Sequence, residues 1–163
     1  MHWDRIRLIN FPVDANDWIV HAVERSWPQG VQSTKHRPRA FEIKLGGYPW
    51  NPSGRSAVHG RQLMLEILIV LKRYGYVLHS SSDVSNSSST CDTLFFRRDA
   101  PEANASMLAL STNSSDIFRL INAPAELGAV VHSLIERYWP RGLQRRTDDY
   151  APGCIDFKMH GYP

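Results

Sequence analysis

The chain is poor in the features that mark membrane and secreted proteins. Its 163 residues contain no apolar run that approaches the roughly 18 residues of a membrane span. The N-terminal residues carry charges where a signal peptide needs an apolar segment. The two cysteines, Cys91 and Cys154, stand far apart and are expected to be reduced, partly buried thiols. The sequence therefore predicts a cytoplasmic or nuclear protein with no membrane partner.

An excess of one charge sign and a metal-ligand pattern are also missing. Lys and Arg number 19 against 16 Asp and Glu, so the formal net charge is only +3. Such an excess permits an anionic partner without requiring one. The 7 histidines show no pair at a known ligand spacing, and the chain has no glycine-rich phosphate loop. The sequence predicts neither a metal nor a cofactor.

No catalytic constellation is evident in the sequence. The stretch from His79 to Asp83 brings His, Ser and Asp together, but neighbours on a strand point to opposite faces. The nucleophile elbow of hydrolases is missing as well. A strand that runs into a polar loop is the preferred interpretation. Enzymatic activity is left undecided, and a non-enzymatic role is favoured.

The chain does contain a long internal repeat. Two stretches agree in order over about 45 residues, with one insertion of two residues, which indicates duplication. The matching pieces are RLINFP at 7–12 and RLINAP at 119–124, ERSWPQGVQ at 24–32 and ERYWPRGLQ at 136–144, and GYP at 47–49 and 161–163. Convergence would not reproduce these motifs at matching distances.

The repeat divides the chain into segment A (4–50), segment B (51–112) and segment A′ (114–163). Each A segment shows a strand, an amphipathic helix and a second strand, which predicts a β-α-β element. Segment B contains a buried helix at 57–74 and several strands. We expect an α/β (α+β) fold in which three helices pack on a mixed sheet of five to seven strands. One compact domain is favoured, with membership of a longer tandem array as an extension.

A glycine-rich junction at the end of segment A is the best candidate for a ligand site. It joins a strand to the helix of segment B, and a helix N-terminus beside an arginine attracts anions. The candidate ligand-binding residues are Tyr48, Trp50, Ser53, Arg55 and His59. A structural interpretation is left open beside this one, in which glycines supply special backbone angles while Tyr48 and Trp50 fill the end of the core.

Basic residues form a second candidate site. They cluster in corresponding loops of the two A segments, at 35–39 and 141–146, and at the end of a strand in segment B. The candidate polyanion-binding residues are Lys35, Arg37, Arg39, Arg97, Arg98, Arg141, Arg145 and Arg146. Two related basic loops are able to follow a phosphate backbone, although no known RNA-module signature accompanies them.

Two functional hypotheses follow from these patterns. The first is a non-enzymatic interaction module that binds another protein or its own copy as a homodimer. The second is a nucleic-acid or polyanion-binding domain that uses the two basic loops together with the Tyr48–Arg55 junction. The duplication and the lack of a catalytic constellation favour the first.

Overall fold

The computed structural model describes residues 3–83 and 92–161. Within these residues it contains three helices and nine strands, which confirms the α+β class and the three helices. The elements are, in chain order, β1 (Arg5–Ile9), α1 (Ala15–Ser26), β2 (Val31–Arg37), β3 (Ala40–Leu45), α2 (Ser56–Arg73), β4 (Tyr76–Ser82), β5 (Thr93–Arg98), β6 (Ala109–Asn113), β7 (Ile117–Ile121), α3 (Ala125–Tyr138), β8 (Leu143–Thr147) and β9 (Cys154–Met159).

The strands lie in three antiparallel sheets, so the single mixed sheet of the sequence prediction is wrong. The described sheets have the orders β1-β3-β2, β4-β5 and β6-β7-β9-β8. The chain divides into two compact units, Met1–Ser106 and Met107–Pro163, named here unit 1 and unit 2. Segment B therefore divides between the units, because its last strand, β6, pairs with β7 in unit 2.

Unit 1 is built around the sheet β1-β3-β2, with α1 and α2 packed together beside it. The apolar residues of α1 recur at helical spacing, and Ile19 and Val23 are fully buried. Leu63 and Leu71 of α2 lie in the same core cluster. Arg73 ends α2, and Gly75 follows at φ 78°, a backbone angle that favours glycine.

Unit 2 consists of the sheet β6-β7-β9-β8 and the helix α3. Its core is smaller and consists of Leu120, Ile155 and Phe157, with partly buried side chains of α3 packed against them. The hairpin between β6 and β7, expected near Asn113 and Ser114, is present, and Ser114 has a positive φ of 54°. This unit therefore presents one helix to one face of a four-stranded sheet.

Segments A and A′ repeat the same local structure inside their units. Both contain strand, helix and a two-stranded hairpin, with the strand orders β1-β3-β2 and β7-β9-β8. The indole N–H of Trp27 donates to the Gly46 carbonyl at 2.8 Å, and that of Trp139 donates to the His160 carbonyl at 2.9 Å. Each hairpin also carries a register shift near its first residues.

The hairpins correct the prediction of a simple β-α-β element. The basic loops were expected at 35–39 and 141–146, and most of these residues lie on the strands β2 and β8 instead. The strand β2 shows no buried alternation, because it lies at the sheet edge and most of its side chains face solvent. Backbone pairing with β3 holds it in place, and side-chain patterning does not reveal such a strand.

Candidate functional site

Three arginines of unit 1 converge on one carboxylate. Arg5 donates from Nη1 to Glu42 Oε1 at 2.9 Å, and Arg7 donates from Nε to Oε2 at 2.9 Å. Arg37 donates from Nη2 to Oε1 at 3.1 Å. Glu42 itself is buried, while the arginine side chains remain 22%, 54% and 42% exposed in the same order. The arrangement is a buried carboxylate surrounded by three partly exposed guanidinium groups.

Strand pairing explains why these residues meet. Arg7 and Lys35 both lie opposite Glu42, on the two strands that flank β3. Residues two apart on a strand share a face, so the outer side of this sheet collects charged residues from all three strands. We name this surface the basic face, and it consists of Arg5, Arg7, Lys35, Arg37, Glu42 and Lys44.

The arginines determine the ionisation of Glu42. The hydrogen bond from Arg7 is the largest influence and outweighs the opposing effect of burial. Together with Arg37 and Arg5 it lowers the pKa of Glu42 from 4.5 to about 2. Glu42 is therefore ionised at neutral pH and neutralises only part of the positive charge around it.

A shallow depression opens on the basic face. Its volume is about 240 Å³, and it is lined by Arg5, Ser33, Thr34, Lys35, Arg37, Glu42 and Lys44. The lining combines guanidinium, ammonium and hydroxyl groups, which are hydrogen-bond donors for anions. The depression can therefore accommodate a small anionic group in contact with several donors.

Unit 2 contains the corresponding ion pair in a closed environment. Arg119 donates from Nε and Nη2 to the two oxygens of Asp156, both at 2.6 Å, and both residues are buried. The Tyr150 ring lies 4.4 Å from the Arg119 guanidinium. Burial would raise the pKa of Asp156, but hydrogen bonds from Arg119 and Cys154 leave it lowered.

The cysteine beside this pair is chemically quiet. Cys154 is buried and reduced, and its thiol donates to Asp156 Oδ1 at 3.1 Å. Burial, with the Asp156 carboxylate as the next cause, raises the pKa of the Cys154 thiol to about 12. The thiolate that reactive cysteines need is therefore disfavoured. The other cysteine, Cys91, lies outside the described residues.

The helix α3 exposes a stripe of apolar side chains. Val130, Leu134 and Tyr138 are 53%, 48% and 66% exposed, and they recur every four residues along one side of the helix. Only Gly128 of this helix is buried. We name these three residues the α3 stripe. Three apolar side chains in one row are more than the isolated exposed residues of an ordinary surface.

The structure separates the five candidates at the glycine-rich junction. Trp50 packs against the core of unit 1 and donates from Nε1 to the Arg5 carbonyl at 2.9 Å, which favours a structural role. Tyr48 is 67% exposed, so its expected role as a second core wedge is wrong, and the adjacent Pro49 is buried instead. Ser53 and Arg55 are exposed at the start of α2, and His59 is half-buried one turn further on.

The basic candidates are distributed over strands and turns, so the loop location expected for Lys35, Arg37, Arg145 and Arg146 is wrong, whereas Arg97 and Arg98 end a strand as expected. Lys35 and Arg37 lie on β2 within the basic face, whereas Arg39 occupies the hairpin turn at φ 66°. Arg97 and Arg98 lie on β5. In unit 2, Arg145 and Arg146 lie on β8, with Arg141 in the preceding turn, and Arg146 pairs with Asp148 at 2.8 Å.

Sequence reasoning missed Arg5, Arg7, Glu42 and Lys44. The signal was the alternation of Arg5 and Arg7 with buried or half-buried apolar neighbours on a strand, and the same alternation of Glu42 and Lys44. Charged residues two apart on such strands share the face turned away from the core. What the sequence could not show was that the two pairs meet across one sheet.

The described residues provide neither a metal site nor a membrane-spanning helix. No group of three or more His, Cys, Asp or Glu side chains within residues 3–83 and 92–161 is arranged to hold a metal ion. Over the same residues, every helix is too short or too polar to cross a lipid bilayer.

The fold and its surfaces define a small α+β protein with two compact units. The chain belongs to a domain family whose model matches residues 1–97 and 106–163, and the family description assigns no activity. The two matched stretches correspond closely to the two units. No curated protein and no solved structure matches the chain.

Proposed function

We propose that the protein is a non-enzymatic interaction module whose α3 stripe binds a helix of a partner protein. The observation that carries this proposal is the exposure of Val130 and Leu134 at positions that a second helix covers in unit 1. The covering helix in unit 1 is α2, and its packing on α1 indicates what the α3 stripe would bind.

Three contacts define the side of α1 that faces α2. Trp18 stacks on Tyr74 with ring centroids 3.6 Å apart, and Arg25 forms an ion pair with Glu66. Ala22 lies between Trp18 and Arg25 on the helix surface, and it is fully buried. This side of α1 therefore consists of positions 18, 22 and 25. Ala22 is fully buried, and Trp18 and Arg25 contact α2 or its C-terminal cap, although Arg25 remains 58% exposed.

The repeat places two residues of the α3 stripe, Val130 and Leu134, at the first two of these positions, while Tyr138 corresponds to Ser26. Val130, Leu134 and Arg137 of α3 correspond to Trp18, Ala22 and Arg25 of α1 at the common offset of 112. The opposite side of α3 already packs on its own sheet through residues such as Val131 and Ile135. The free side is therefore apolar, includes a cation, and has the spacing by which one helix packs on another.

These features specify the chemistry of the partner helix. It should carry an apolar ridge at spacings of three and four residues, as α2 does with Leu63, Ile67 and Val70. It should also carry an acidic residue beside that ridge, since Arg137 occupies the place from which Arg25 reaches Glu66. We propose a partner helix of the α2 type.

A peptide of residues 55–75 tests this proposal, because it contains α2 with the acidic residue in place. The peptide is labelled with fluorescein and titrated with the full chain, and anisotropy is recorded. We expect saturable binding that Leu134→Glu weakens by at least roughly tenfold, because a charge would be buried in an apolar contact. A Glu66→Lys peptide should bind about threefold more weakly, because it would place a like charge opposite Arg137.

The matched control is Ser133→Glu, which adds the same charge to the neighbouring exposed position of α3. It should leave peptide binding unchanged. Equal weakening by both variants, or the absence of saturable binding, would overturn the proposal. Sedimentation velocity tests the homodimer alternative: a dimer that Leu134→Glu dissociates, without peptide binding, would show that a second copy occupies the stripe.

Other aspects of the proposal have their own support. We propose that segments A and A′ are duplicated copies, supported by their equal strand orders and paired tryptophan hydrogen bonds. A cytoplasmic or nuclear location and a single compact domain stay predictions. The nucleic-acid or polyanion alternative also stays a prediction. Its candidate residues lie on separate strands and turns, which does not by itself support one common binding surface.

A further inference from the structure

We propose that the basic face of unit 1 is a binding site for a phosphate monoester group. The site is the depression of about 240 Å³ on the outer side of the sheet β1-β3-β2, and the cations that line it are Arg5, Lys35, Arg37 and Lys44. Arg7 lies beside it and binds the same carboxylate, Glu42. This site is independent of the α3 stripe. It shares Lys35 and Arg37 with the predicted polyanion site and adds the cations of β1 and β3.

The first argument is the charge that remains after all internal ion pairs are formed. Arg5, Arg7 and Arg37 share the single carboxylate of Glu42. Asp4 is the other acidic group of this surface, at 3.7 Å from Arg5 and 3.9 Å from Lys44. Five cations thus surround two carboxylates, and a phosphate monoester with a charge of about −2 at neutral pH complements the excess.

The second argument is the comparison with unit 2, where one arginine rather than three pairs with the central carboxylate and where Lys158 keeps the place of Lys44. Arg7 and Glu42 correspond to Arg119 and Asp156, which pair with each other in both units. The positions of the other three cations are occupied differently in unit 2. Arg5 corresponds to Ile117, Lys35 to Thr147 and Arg37 to Asp149 at the offset of 112. In unit 2 the buried carboxylate is therefore held by one arginine and the Cys154 thiol, whereas unit 1 gathers two further arginines on Glu42 and leaves their remaining donors for a ligand.

The third argument is donor geometry. Arg7 contacts Glu42 through Nε, and Arg37 contacts it through one Nη, so each guanidinium retains further N–H donors. Both side chains are about half exposed and can turn these donors towards solvent. The planar guanidinium fork matches two phosphate oxygens, and the hydroxyls of Ser33 and Thr34 line the same depression.

The test is a titration of the full isotopically labelled chain with sodium phosphate, against sodium chloride at equal ionic strength. Amide resonances of Ser33–Arg37 report binding. We expect saturable shifts with phosphate alone. The double variant Lys35→Thr, Arg37→Asp copies the residues of unit 2 and should weaken phosphate binding at least roughly tenfold, because charge-assisted hydrogen bonds are lost. Lys35→Gln alone should weaken it by less.

Arg145→Gln is the matched control, because it removes an exposed arginine from β8 of unit 2 and should leave phosphate binding unchanged. The indole resonance of Trp27 reports that unit 1 remains folded in each variant. Shifts that grow linearly and equally with chloride and phosphate would overturn the proposal, as would equal affinity in the double variant.

Two further ligands distinguish the sources of the phosphate group. A phosphoserine peptide that binds more tightly than free phosphate, with its unphosphorylated form inactive, would support a phosphoprotein ligand. Equal affinity for the peptide and free phosphate would support recognition of the phosphate group alone. A DNA duplex that binds more tightly than either, and that Arg145→Gln weakens as much as the double variant, would overturn the local site in favour of a diffuse polyanion surface.

Discussion

The two units keep the same arginine–carboxylate pair and place it in opposite surroundings. In unit 1, Arg7 is 54% exposed and shares Glu42 with two further arginines. In unit 2, Arg119 is only 5% exposed and holds Asp156 through two hydrogen bonds, with a third from the Cys154 thiol. Both sheets thus contain an arginine–carboxylate pair. The residues around the pair determine whether it is exposed beside additional cations or buried.

The helices show the reverse pattern. The α2-facing side of α1 is covered, whereas the corresponding side of α3 is exposed at Val130 and Leu134. Unit 1 therefore leaves the outer face of its sheet open to solvent, and unit 2 leaves one side of its helix open. The comparison teaches that each unit exposes a different surface of a similar scaffold, and each proposal above concerns one of these surfaces.

The largest expected difference between the units is the loss in free energy of unfolding when the arginine of the ion pair is removed. Arg119→Met should destabilise unit 2 by about 3–5 kcal/mol, because Asp156 would remain buried without a counter-ion. Arg7→Met should destabilise unit 1 by less than about 1 kcal/mol, because Arg7 is about half exposed and two other arginines remain hydrogen-bonded to the buried Glu42. Urea unfolding followed at the indole resonances of Trp139 and Trp27 measures the two units separately.

A double variant serves as the control for this experiment. Arg119→Met combined with Asp156→Leu removes both charges, so it should be more stable than Arg119→Met alone. If Arg119→Met and Arg7→Met cost the same stability, the contrast between a sealed and an open pair would be wrong.

A smaller difference is expected at the end of the first strand of each repeat. Ile9 and Ile121 occupy corresponding positions, each followed by an asparagine with positive φ. Ile121 is fully buried and Ile9 is 56% exposed. Ile121→Ala should therefore cost about 2–4 kcal/mol through the lost contacts and the cavity, and Ile9→Ala less than about 0.5 kcal/mol. Thermal unfolding of the two variants checks this order, and a larger loss for Ile9→Ala would contradict it.

The fold class could be predicted because the periodic spacing of apolar side chains in a helix can be recognised in the sequence. The helix expected at 57–74 is α2 (Ser56–Arg73), and its long apolar run marked it as a core helix. The strands β2 and β8 escaped prediction because most of their side chains are polar and only their first residues, Val31 and Leu143, pack against a core. The separation into three sheets likewise depends on pairing choices that local patterns do not encode.

The candidate site was harder to predict than the fold. Lys35 and Arg37 were recognised by their charge, but their partner Glu42 and the arginines of β1 were not. Arg7 and Glu42 lie 35 positions apart in the chain, and strand register alone brings them together. The α3 stripe was visible as helical periodicity, but its exposure depends on what packs against the helix, which periodicity does not reveal.

The smallest expected effect is the acid dependence of the open pair. Glu42 has a folded-state pKa lowered to about 2, chiefly by the hydrogen bond from Arg7, against an ordinary value of 4.5. A lowered folded-state pKa means that ionised Glu42 stabilises unit 1 above the unfolded-state pKa. That stabilisation is lost as the pH falls from about 4.5 towards about 2.

The melting temperature of unit 1 in the wild type should therefore exceed that of Glu42→Gln at pH 6, and the difference should narrow steadily as the pH falls from about 4.5 towards about 2. The exposed arginines are screened by solvent, so the whole effect should be modest. A difference in melting temperature that stays constant from pH 6 to pH 2 would show that Glu42 stabilises the sheet by packing. The charge of Glu42 would then not contribute to the stability of unit 1.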